Sequence, residues 1–210
     1  MIHPPGLEGA RFGEAADGDP RHDPSAAAAL HAAGVPEGVA VPNQVHGSGV
    51  LVVTAPGRHG EADALVTTTP GVGVGVATAD CVPVVIEGAG FAAVVHAGWR
   101  GIVAGVVEAT LDRISSLGLT AECAAIGPAI GPCCYEVGPE VAERFPGHPA
   151  LTTQGGISID LPGAVADTLG SLVAWRSDRC TFTDPGLNSY RRDHTERRQV
   201  SVAWIPDPDR

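Results

Sequence analysis

Residues 91–118 read FAAVVHAGWRGIVAGVVEATLDRISSLG, and this stretch decides the fold class. Residues 91–96 are apolar up to the histidine and include two adjacent valines, which predicts a buried strand. Residues 97–101 contain two glycines and predict a tight turn. In residues 102–117 the apolar positions recur at helical spacing, which predicts one amphipathic helix that ends before Gly118. The stretch is therefore a strand–turn–helix unit.

Further strand signals cluster in the middle of the chain. They fall at residues 50–54, 64–68, 72–77, 81–86 and 123–126, with a last one at 200–205. Pro83 predicts an edge strand or a bulge, because proline cannot donate a ladder hydrogen bond. Glycines alternate with valines at residues 71–76, which predicts a strand face that another backbone or a ligand approaches closely.

Helical patterns outside the opening stretch are few. They fall at residues 24–33, 139–145 and 161–175, and the first 35 residues are otherwise expected to be irregular. Because the strands cluster rather than alternate regularly with helices, the prediction is an α+β fold with mixed central sheets flanked by helices. A length of 210 residues, without repeats or linkers, indicates a single domain over residues 1–210.

The charge balance argues against a nucleic-acid partner. Thirteen basic and 24 acidic residues give a formal net charge of −11, whereas nucleic-acid affinity comes largely from basic groups on phosphates. One basic cluster, Arg191, Arg192, Arg197 and Arg198, is interrupted by acidic residues. It is either a solvated turn or a binding site for phosphate or a partner.

The location is predicted from the cysteines and from the apolar runs. Five cysteines is an odd number, and two of them, Cys133 and Cys134, are adjacent, so a disulfide framework is not expected. Reduced thiols are typical of the cytoplasm. The first 13 residues lack the apolar core of a secretory signal, and no apolar run reaches membrane-spanning length, so no membrane association is expected.

Three side chains at predicted strand ends could carry chemistry: His46, Cys81 and His96. A thiolate with two neutral imidazoles suits zinc, and three protein ligands leave a fourth position open. The gaps of 35 and 15 residues between them carry no local geometry, so the residues alone leave two readings open. The trio is either a metal site or a buried cysteine with two hydrogen-bonded histidines.

Several motifs, in order along the chain, resemble those of the YfiH-like family, also called the multicopper polyphenol oxidase or laccase-domain family. They are NQVHG (43–47), ADALVT (62–67), TADCVP (78–83), VHAGWRG (95–101), IGPAIGPCCYEVG (126–138) and SYRR (189–192). The resemblance runs from about residue 40 to residue 205, whereas residues 6–20 barely match the opening of family members.

The resemblance implies a metal centre and a reaction. It assigns His46, Cys81 and His96 as metal ligands, with Zn²⁺ or Cu²⁺ as the ion. Members of the family are described as purine nucleoside phosphorylases that also deaminate adenosine, so a nucleoside and inorganic phosphate are the expected partners of a monomer or weak homodimer. Arg100 is then a phosphate position beside a helix N-terminus, and Asp80 a proton shuttle or an orienting group.

The remaining expected contacts concern the substrate. Asn43 and Gln44 are expected to hold the base or the sugar, Cys134 and Tyr135 to wall the site, and Arg191 to bind substrate.

Three other functions remain open at this point. A copper-dependent polyphenol oxidase is disfavoured in its cupredoxin form, since the chain has eight histidines without a His-x-His pair and its single methionine is Met1. Copper could still load the trio, because copper exceeds zinc in raw affinity. A metal-free hydrolase would use Cys81 as nucleophile and His96 as base, for example as an amidase on peptidoglycan precursors. A purely structural zinc clip is the non-enzymatic alternative.

Overall fold

Two β-sheets packed face to face form the centre of the molecule. The computed structural model describes residues 1–19, 22–23 and 26–206. The strands in these ranges are β1 (Ala10–Phe12), β2 (Gly38–Asn43), β3 (Val50–Val53), β4 (Gly57–Glu61), β5 (Ala64–Thr67), β6 (Val72–Thr78), β7 (Val82–Gly88), β8 (Phe91–Ala97), β9 (Cys123–Ile126), β10 (Pro149–Leu151), β11 (Ile157–Ile159), β12 (Val173–Arg176) and β13 (Gln199–Ala203).

Short helices connect and cover the sheets. They are α1 (Ala26–Ala32), α2 (Trp99–Val103), α3 (Val106–Ser116), α4 (Pro139–Ala142), α5 (Leu161–Leu169) and α6 (Tyr190–Asp193), with 3₁₀ turns at Ala15–Asp17 and Gly170–Leu172. No helix among the described residues combines the length and the apolar character needed to cross a bilayer.

The sheets are mixed, as predicted. One has five strands in the order β1-β13-β6-β2-β4, the other six in the order β12-β9-β7-β8-β5-β3, and β10 and β11 form a separate hairpin. Parallel pairs, such as β3 with β5, occur in the same sheets as antiparallel pairs such as β7 with β8. The single-domain α+β architecture expected from the sequence is confirmed.

One hydrophobic core lies between the two sheets. Its members are the strand residues whose side chains point towards the opposite sheet. They include Phe12, Val74 and Val76 from the five-stranded sheet and Leu65, Val85 and Val94 from the six-stranded sheet. Full burial of an aliphatic or aromatic side chain of this size contributes roughly 1.5–3 kcal/mol.

Helices cover the outer face of each sheet. Val106 and Ile114 of α3 and Val165 of α5 pack on the six-stranded sheet. On the other side, Leu30 and Val35, in and after α1, pack against residues of β13. The alternation of glycine and valine in β6 predicted that a backbone or a ligand approaches this strand closely. In the structure, side chains make that approach, since Val39 and Val200 lie against Gly75.

Two predicted helices are shorter than expected, because each meets a glycine in the left-handed region. The helix predicted over residues 102–117 is two helices, α2 and α3, separated at Gly105, whose φ is 80°. The helix predicted over residues 161–175 ends at Gly170, with φ of 55°, and the chain then forms β12. A left-handed residue interrupts the helical hydrogen-bond ladder, and glycine adopts it without steric cost.

Pro83 does not lie on an edge strand, which corrects the prediction. It belongs to β7, between β8 and β9. Its carbonyl accepts from the Gly127 N–H, just beyond the end of β9, where the ladder has already stopped. The N–H that proline lacks would face the same side, so the missing bond falls at the end of the ladder with β9 rather than inside it.

The N-terminal segment is more ordered than the sequence suggests. Within the first 35 residues, β1 pairs with β13 and places Phe12 in the core. Of the helix predicted at residues 24–33, Ala26–Ala32 is observed, and residues 24 and 25 lie outside the described part of the chain.

Candidate metal centre and its cavity

The β7–β8 pair brings two of the three predicted ligands together. Cys81 directly precedes β7, and His96 is the second-last residue of β8, opposite Pro83 in the antiparallel register. His96 continues the alternation of Ala92 and Val94, so it lies on the face of the six-stranded sheet that is turned towards the other sheet. It is 3% exposed.

His46 reaches the same point from the loop between β2 and β3. Its backbone is left-handed, with φ of 59°, an uncommon conformation for a residue other than glycine. Strained backbone of this kind persists where surrounding contacts enforce it, and it clusters at functional sites. The ring of His46 lies edge-on to that of His96, with centroids 4.7 Å apart.

The three side chains form one compact donor set. One ligand atom from each of His46, Cys81 and His96 lies within 4.8 Å of the others. Gly98 borders them: a Cβ at this position would lie 3.0 Å from His46 Cδ2 and 3.1 Å from Cys81 Sγ. Only a residue without a side chain leaves this space free.

Asp63, which was not among the predicted site residues, organises the centre. Its carboxylate is fully buried and accepts the Nδ1–H of His96 at 2.7 Å. It also accepts the backbone N–H groups of Val45, His46 and Gly47, and so holds the strained loop. A carboxylate on Nδ1 fixes the tautomer in which Nε2 of His96 is free to bind a metal. Its place inside the ADALVT motif was the available signal.

The electrostatics of the trio favour a thiolate. Burial by itself raises the pKa of Cys81, but hydrogen bonds from His46 and His96 outweigh it and lower that pKa to about 6. Burial lowers the pKa of His96, and the Asp63 carboxylate and the Cys81 sulfur together raise it to about 9. The deprotonated sulfur is the form that binds metals or acts as a nucleophile.

The residues present fit a zinc ion. One thiolate and two imidazoles, one of them oriented by a carboxylate, are a known type of zinc donor set. The free space beside Gly98 adjoins the donor atoms rather than the protein core. His46, Cys81 and His96 would hold the ion.

A cavity of about 570 Å³ opens at the trio. All three residues line it, as do the predicted residues Asn43, Gln44, Asp80, Arg100, Tyr135 and Arg191. Four arginines face this one space: Arg58, Arg100, Arg191 and Arg198. The chain has thirteen basic residues and a net charge of −11, so four guanidinium groups around one space are a local concentration of positive charge.

Aromatic rings complete the wall. Trp99, Tyr135 and Tyr190 line the cavity, and each carries a guanidinium over its ring, the closest being Arg100 at 4.3 Å from Trp99. Such cation–π contacts hold flexible arginine side chains at the rim. Burial raises the pKa of Tyr135 to about 12, so its hydroxyl remains protonated at neutral pH.

Asp80 connects the cavity to the C-terminal segment. Its carboxylate accepts the hydroxyl of Thr181 at 2.6 Å and the backbone N–H of Arg191 at 2.7 Å. Its backbone is also left-handed, with φ of 90°. These contacts position Arg191, whereas a role for Asp80 as proton shuttle stays a prediction.

Three other predicted residues lie in surroundings that the sequence did not predict. Gln44 exchanges two hydrogen bonds with the backbone of Ala77, so its amide joins the loop before His46 to β6. Cys134 does not line the cavity and lies instead with Cys133 and Cys180. Arg100 does line the cavity, but the helix that carries it, α2, has only five residues. Its contribution therefore depends on its guanidinium rather than on a helix dipole.

The basic cluster at the C-terminal end divides into two pairs. Arg191 and Arg198 line the cavity. Arg192 instead donates to carbonyls of residues 181–187, and Arg197 pairs with Asp23. Sequence alone could not separate these pairs, because all four arginines lie within eight residues and the two cavity arginines flank the other two. Arg58, on β4, and Trp99 also went unpredicted, although Trp99 stands inside the HAGWRG motif.

The sequence matches one protein family over nearly its whole length. The family is described as multi-copper polyphenol oxidoreductase laccase, and its match covers residues 15–206. A relative from Mycobacterium tuberculosis, named a purine nucleoside phosphorylase, is 38% identical over 90% of this chain and 83% of its own. One from Shigella flexneri, named purine nucleoside phosphorylase YfiH, is 38% identical over 77% of this chain and 72% of its own.

Solved structures share the fold. The crystal structure of YlmD from Geobacillus stearothermophilus superposes with a TM-score of 0.77, at 27% identity over 87% of this chain and 79% of that one. A Neisseria meningitidis protein gives a TM-score of 0.71, at 30% identity over 87% of this chain and 80% of its own.

Proposed function

The chain belongs to the family described as multi-copper polyphenol oxidoreductase laccase, and from this premise we propose that it is a zinc-dependent purine nucleoside phosphorylase of the cytoplasm. The YfiH-like resemblance of its motifs is confirmed by the matched relatives. One observation carries the proposal: the metal trio and four arginines face the same cavity. The location rests on the five cysteines, which are all free thiols.

The arginines supply the phosphate site. A guanidinium binds phosphate oxygens through paired, charge-assisted hydrogen bonds, and Arg58, Arg100, Arg191 and Arg198 offer four such groups. In phosphorolysis, an oxygen of phosphate bonds to C1′ of the ribose while the bond from C1′ to the purine N9 breaks. The electron pair leaves with the base, and the products are ribose 1-phosphate and the free purine. Holding both reactants in one cavity removes the entropic barrier to their encounter.

The aromatic wall suits the base. Tyr135 and Tyr190 present flat apolar surface that a purine can stack on. The Tyr135 hydroxyl stays protonated and can donate a hydrogen bond to the departing base. A cavity of about 570 Å³ lies within the usual range of ligand pockets, which is about 300–1,000 Å³.

A metal ion held by His46, Cys81 and His96 would place a Lewis acid in the same space. When bound, zinc with three protein ligands supplies an open coordination position for water or a substrate oxygen or nitrogen. Asp63 keeps the His96 ring in the orientation this requires, through its 2.7 Å hydrogen bond. The same centre supports a second activity, deamination of adenosine at C6, in which water displaces ammonia.

The test is conversion of inosine in the presence and absence of phosphate. We expect hypoxanthine and ribose 1-phosphate only when phosphate is present, with loss of activity in Cys81→Ala. Arg198→Ala should raise the KM for phosphate by about tenfold or more, since a charge-assisted hydrogen bond contributes ~1.5–3 kcal/mol. Arg197→Ala, whose side chain pairs with Asp23 instead, is the matched control and should not change it. Release of base without phosphate would contradict phosphorolysis.

Deamination is tested separately with adenosine. We expect inosine and ammonia to form at a rate independent of phosphate and to require Cys81. If adenosine yields only adenine, and only with phosphate, deamination is not an activity of this centre.

The metal-free hydrolase remains the second candidate, because hydrogen bonds from His46 and His96 lower the pKa of Cys81 to about 6. This function requires activity after chelation of metal, with inactivation by thiol alkylation. The phosphorylase instead requires that activity is lost when metal is chelated and recovers when zinc is added. Phenol oxidation is expected only after copper is added, and oxidation by zinc-only protein would favour the oxidase named in the family description.

A further inference from the structure

Three cysteines outside the cavity converge on one point. Cys133 and Cys134 lie in the Gly-Pro loop between β9 and α4, and Cys180 lies in the segment after β12. The three Sγ atoms lie within 4.8 Å of one another. Cys133 Sγ is 2.6 Å from Cys134 Sγ and 3.7 Å from Cys180 Sγ. We call these residues the thiol cluster.

The thiol cluster is separate from the metal centre. None of its members lines the main cavity. Cys133 and Cys134 instead line a smaller cavity of about 190 Å³, whose other walls include Glu136, Phe182 and Arg191, the last of which also lines the main cavity. All three cysteines are partly exposed, so an ion from solvent can reach them.

Backbone groups prepare one sulfur for a cation. The Gly131 N–H donates to Cys180 Sγ at 3.2 Å. Although burial opposes it, this bond and those from Phe182 and Thr183 lower the pKa of Cys180. Oriented N–H donors around a sulfur are a common outer shell of metal–thiolate sites.

In the other two thiols burial prevails: it raises the pKa of Cys133, although hydrogen bonds from Cys134 and from its own backbone oppose the shift. Burial, together with the neighbouring thiol groups, raises the pKa of Cys134 to about 12. Three sulfurs so close together cannot all ionise without a positive charge between them. A cation would provide that charge.

We propose that Cys133, Cys134 and Cys180 form a second metal site, for a closed-shell thiophilic cation, Zn²⁺ or Cu⁺. An all-sulfur donor set selects these soft or borderline ions, whereas the mixed nitrogen and sulfur set of the metal centre does so less strongly. On binding, each S–H bond breaks, its proton passes to solvent, and the electron pair forms the sulfur–metal bond. No oxidant or reductant is required.

Occupation of this site would join two segments that shape the main cavity. The loop with Cys133 and Cys134 continues directly into Tyr135, and Cys180 precedes Thr181, which bonds to Asp80. The isolated bridge between Ala129 and Cys180 already pairs these segments weakly. The second ion would therefore make this wall of the cavity more rigid.

The experiment measures metal content in the full-length protein, prepared with reduced thiols and equilibrated with Zn²⁺. We expect about two equivalents in the wild type, about one in Cys81→Ala, and about one in the double variant Cys133→Ser/Cys180→Ser. Cys123→Ser is the matched control, because Cys123 belongs to neither site, and it should retain about two equivalents. Since Cys81→Ala removes the metal centre alone, failure here is distinguishable from failure of the proposed function.

A second measurement identifies the ion and guards against misfolding. Cadmium added to Cys81→Ala should give cadmium–thiolate absorption in the ultraviolet, absent when Cys133 and Cys180 are also replaced, with circular dichroism unchanged. Competition between Zn²⁺ and Cu⁺ under anaerobic conditions then shows which cation is held more tightly. The proposal is overturned if Cys81→Ala with four titratable thiols binds no thiophilic ion. It is equally overturned if thiol counting shows two of these cysteines joined in a disulfide.

Discussion

The β7–β8 hairpin has a closed end at the turn after Gly88 and an open end at Val82 and Ala97. The two ends carry similar residues but differ in how those residues are charged and hydrogen-bonded. At the open end, Asp63, Cys81 and His96 lie together around the metal centre. At the closed end, Glu87 of β7 lies opposite Cys123 of β9. Each end thus has a carboxylate and a cysteine, but only the open end has the imidazoles and the cavity.

The two carboxylates show what the difference depends on. Asp63 is fully buried and accepts four hydrogen bonds, and although burial opposes it, these bonds lower its pKa. Glu87 is partly buried, and its Oε1 has no hydrogen-bond partner within the described residues. Burial, with Glu8 nearby, therefore raises the pKa of Glu87 to about 7. Burial alone does not decide the charge of a carboxylate; the donors around it do.

The largest effect is expected from Asp63→Ala. The change leaves His96 Nδ1 and three backbone N–H groups without their acceptor. The free energy of unfolding should fall by about 3–5 kcal/mol, as when one partner of a buried pair is removed. Urea unfolding of metal-free protein measures this. Asp184→Ala removes a more exposed carboxylate paired with Arg179 and should cost at most ~1 kcal/mol. Equal losses in the two variants would mean that Asp63 does not organise the open end.

Gly98→Ala tests whether the open end is shaped around an ion. The new Cβ would lie 3.0 Å from His46 Cδ2 and 3.1 Å from Cys81 Sγ, so it would displace the donor atoms. We expect zinc affinity at the metal centre to fall by about 10–100-fold, the range typical of altered support around a metal. The control is Gly147→Ala, where an added Cβ meets nothing within 4 Å. Unchanged affinity in Gly98→Ala, measured by chelator competition, would contradict a metal at this position.

Glu87 should give the closed end a pH dependence. Its folded pKa of about 7 exceeds the ordinary value of 4.5, so the folded state binds the proton more tightly than the unfolded state does. Stability contributed by the protonated form is therefore complete below about pH 4.5 and is lost as the pH rises through about 7. Relative to Glu87→Gln, the wild type should lose about 2–3 kcal/mol between about pH 5 and pH 8.

The measurement is urea unfolding of both proteins at each pH. The difference between wild type and variant isolates Glu87 from the other titrating groups, which both proteins share. Parallel curves across this range would show that Glu87 is solvated in the folded protein and that the closed end does not hold a costly charge.

The smallest effect is expected from Cys123→Ser. Cys123 packs at the margin of the inter-sheet core and is partly exposed. Its replacement should change the free energy of unfolding by about 0.5 kcal/mol and leave the zinc content unchanged. A loss of bound zinc would show that a change at the closed end affects metal binding at the open end, so that the two ends could not be treated as independent.

Much of the fold could be predicted from local patterns. The strand at residues 91–96, the strand at 123–126 and the mixed α+β class followed from apolar runs and their clustering. Two errors in helix length fell where a single glycine overrides a helical pattern. At Gly105 and Gly170 the apolar periodicity continues past the break, and only the left-handed backbone shows where each helix stops.

The candidate site was predictable only in its first members. His46, Cys81 and His96 stood out through residue type and motif, whereas Asp63 and Arg58 did not. Cys134 shows the opposite error: its motif suggested the cavity, yet its side chain points to the thiol cluster. A motif places a residue in a loop but does not fix which side of the loop its side chain takes.

The sequence by itself determined which groups are available: the strand pattern, the thiol and imidazole donors, and a charge of −11 carried with thirteen basic residues. These follow from composition and from local periodicity, which act over a few residues. Only the tertiary structure decided which groups meet. Asp63 lies 33 residues from His96, and Arg58 and Arg198 are 140 residues apart, yet each pair reaches one site. The register of β5, β7 and β8 sets the first meeting, and the pairing of β4 with β2 in the other sheet fixes the position of Arg58 in the second. Register is a property of the packed sheets rather than of any one segment.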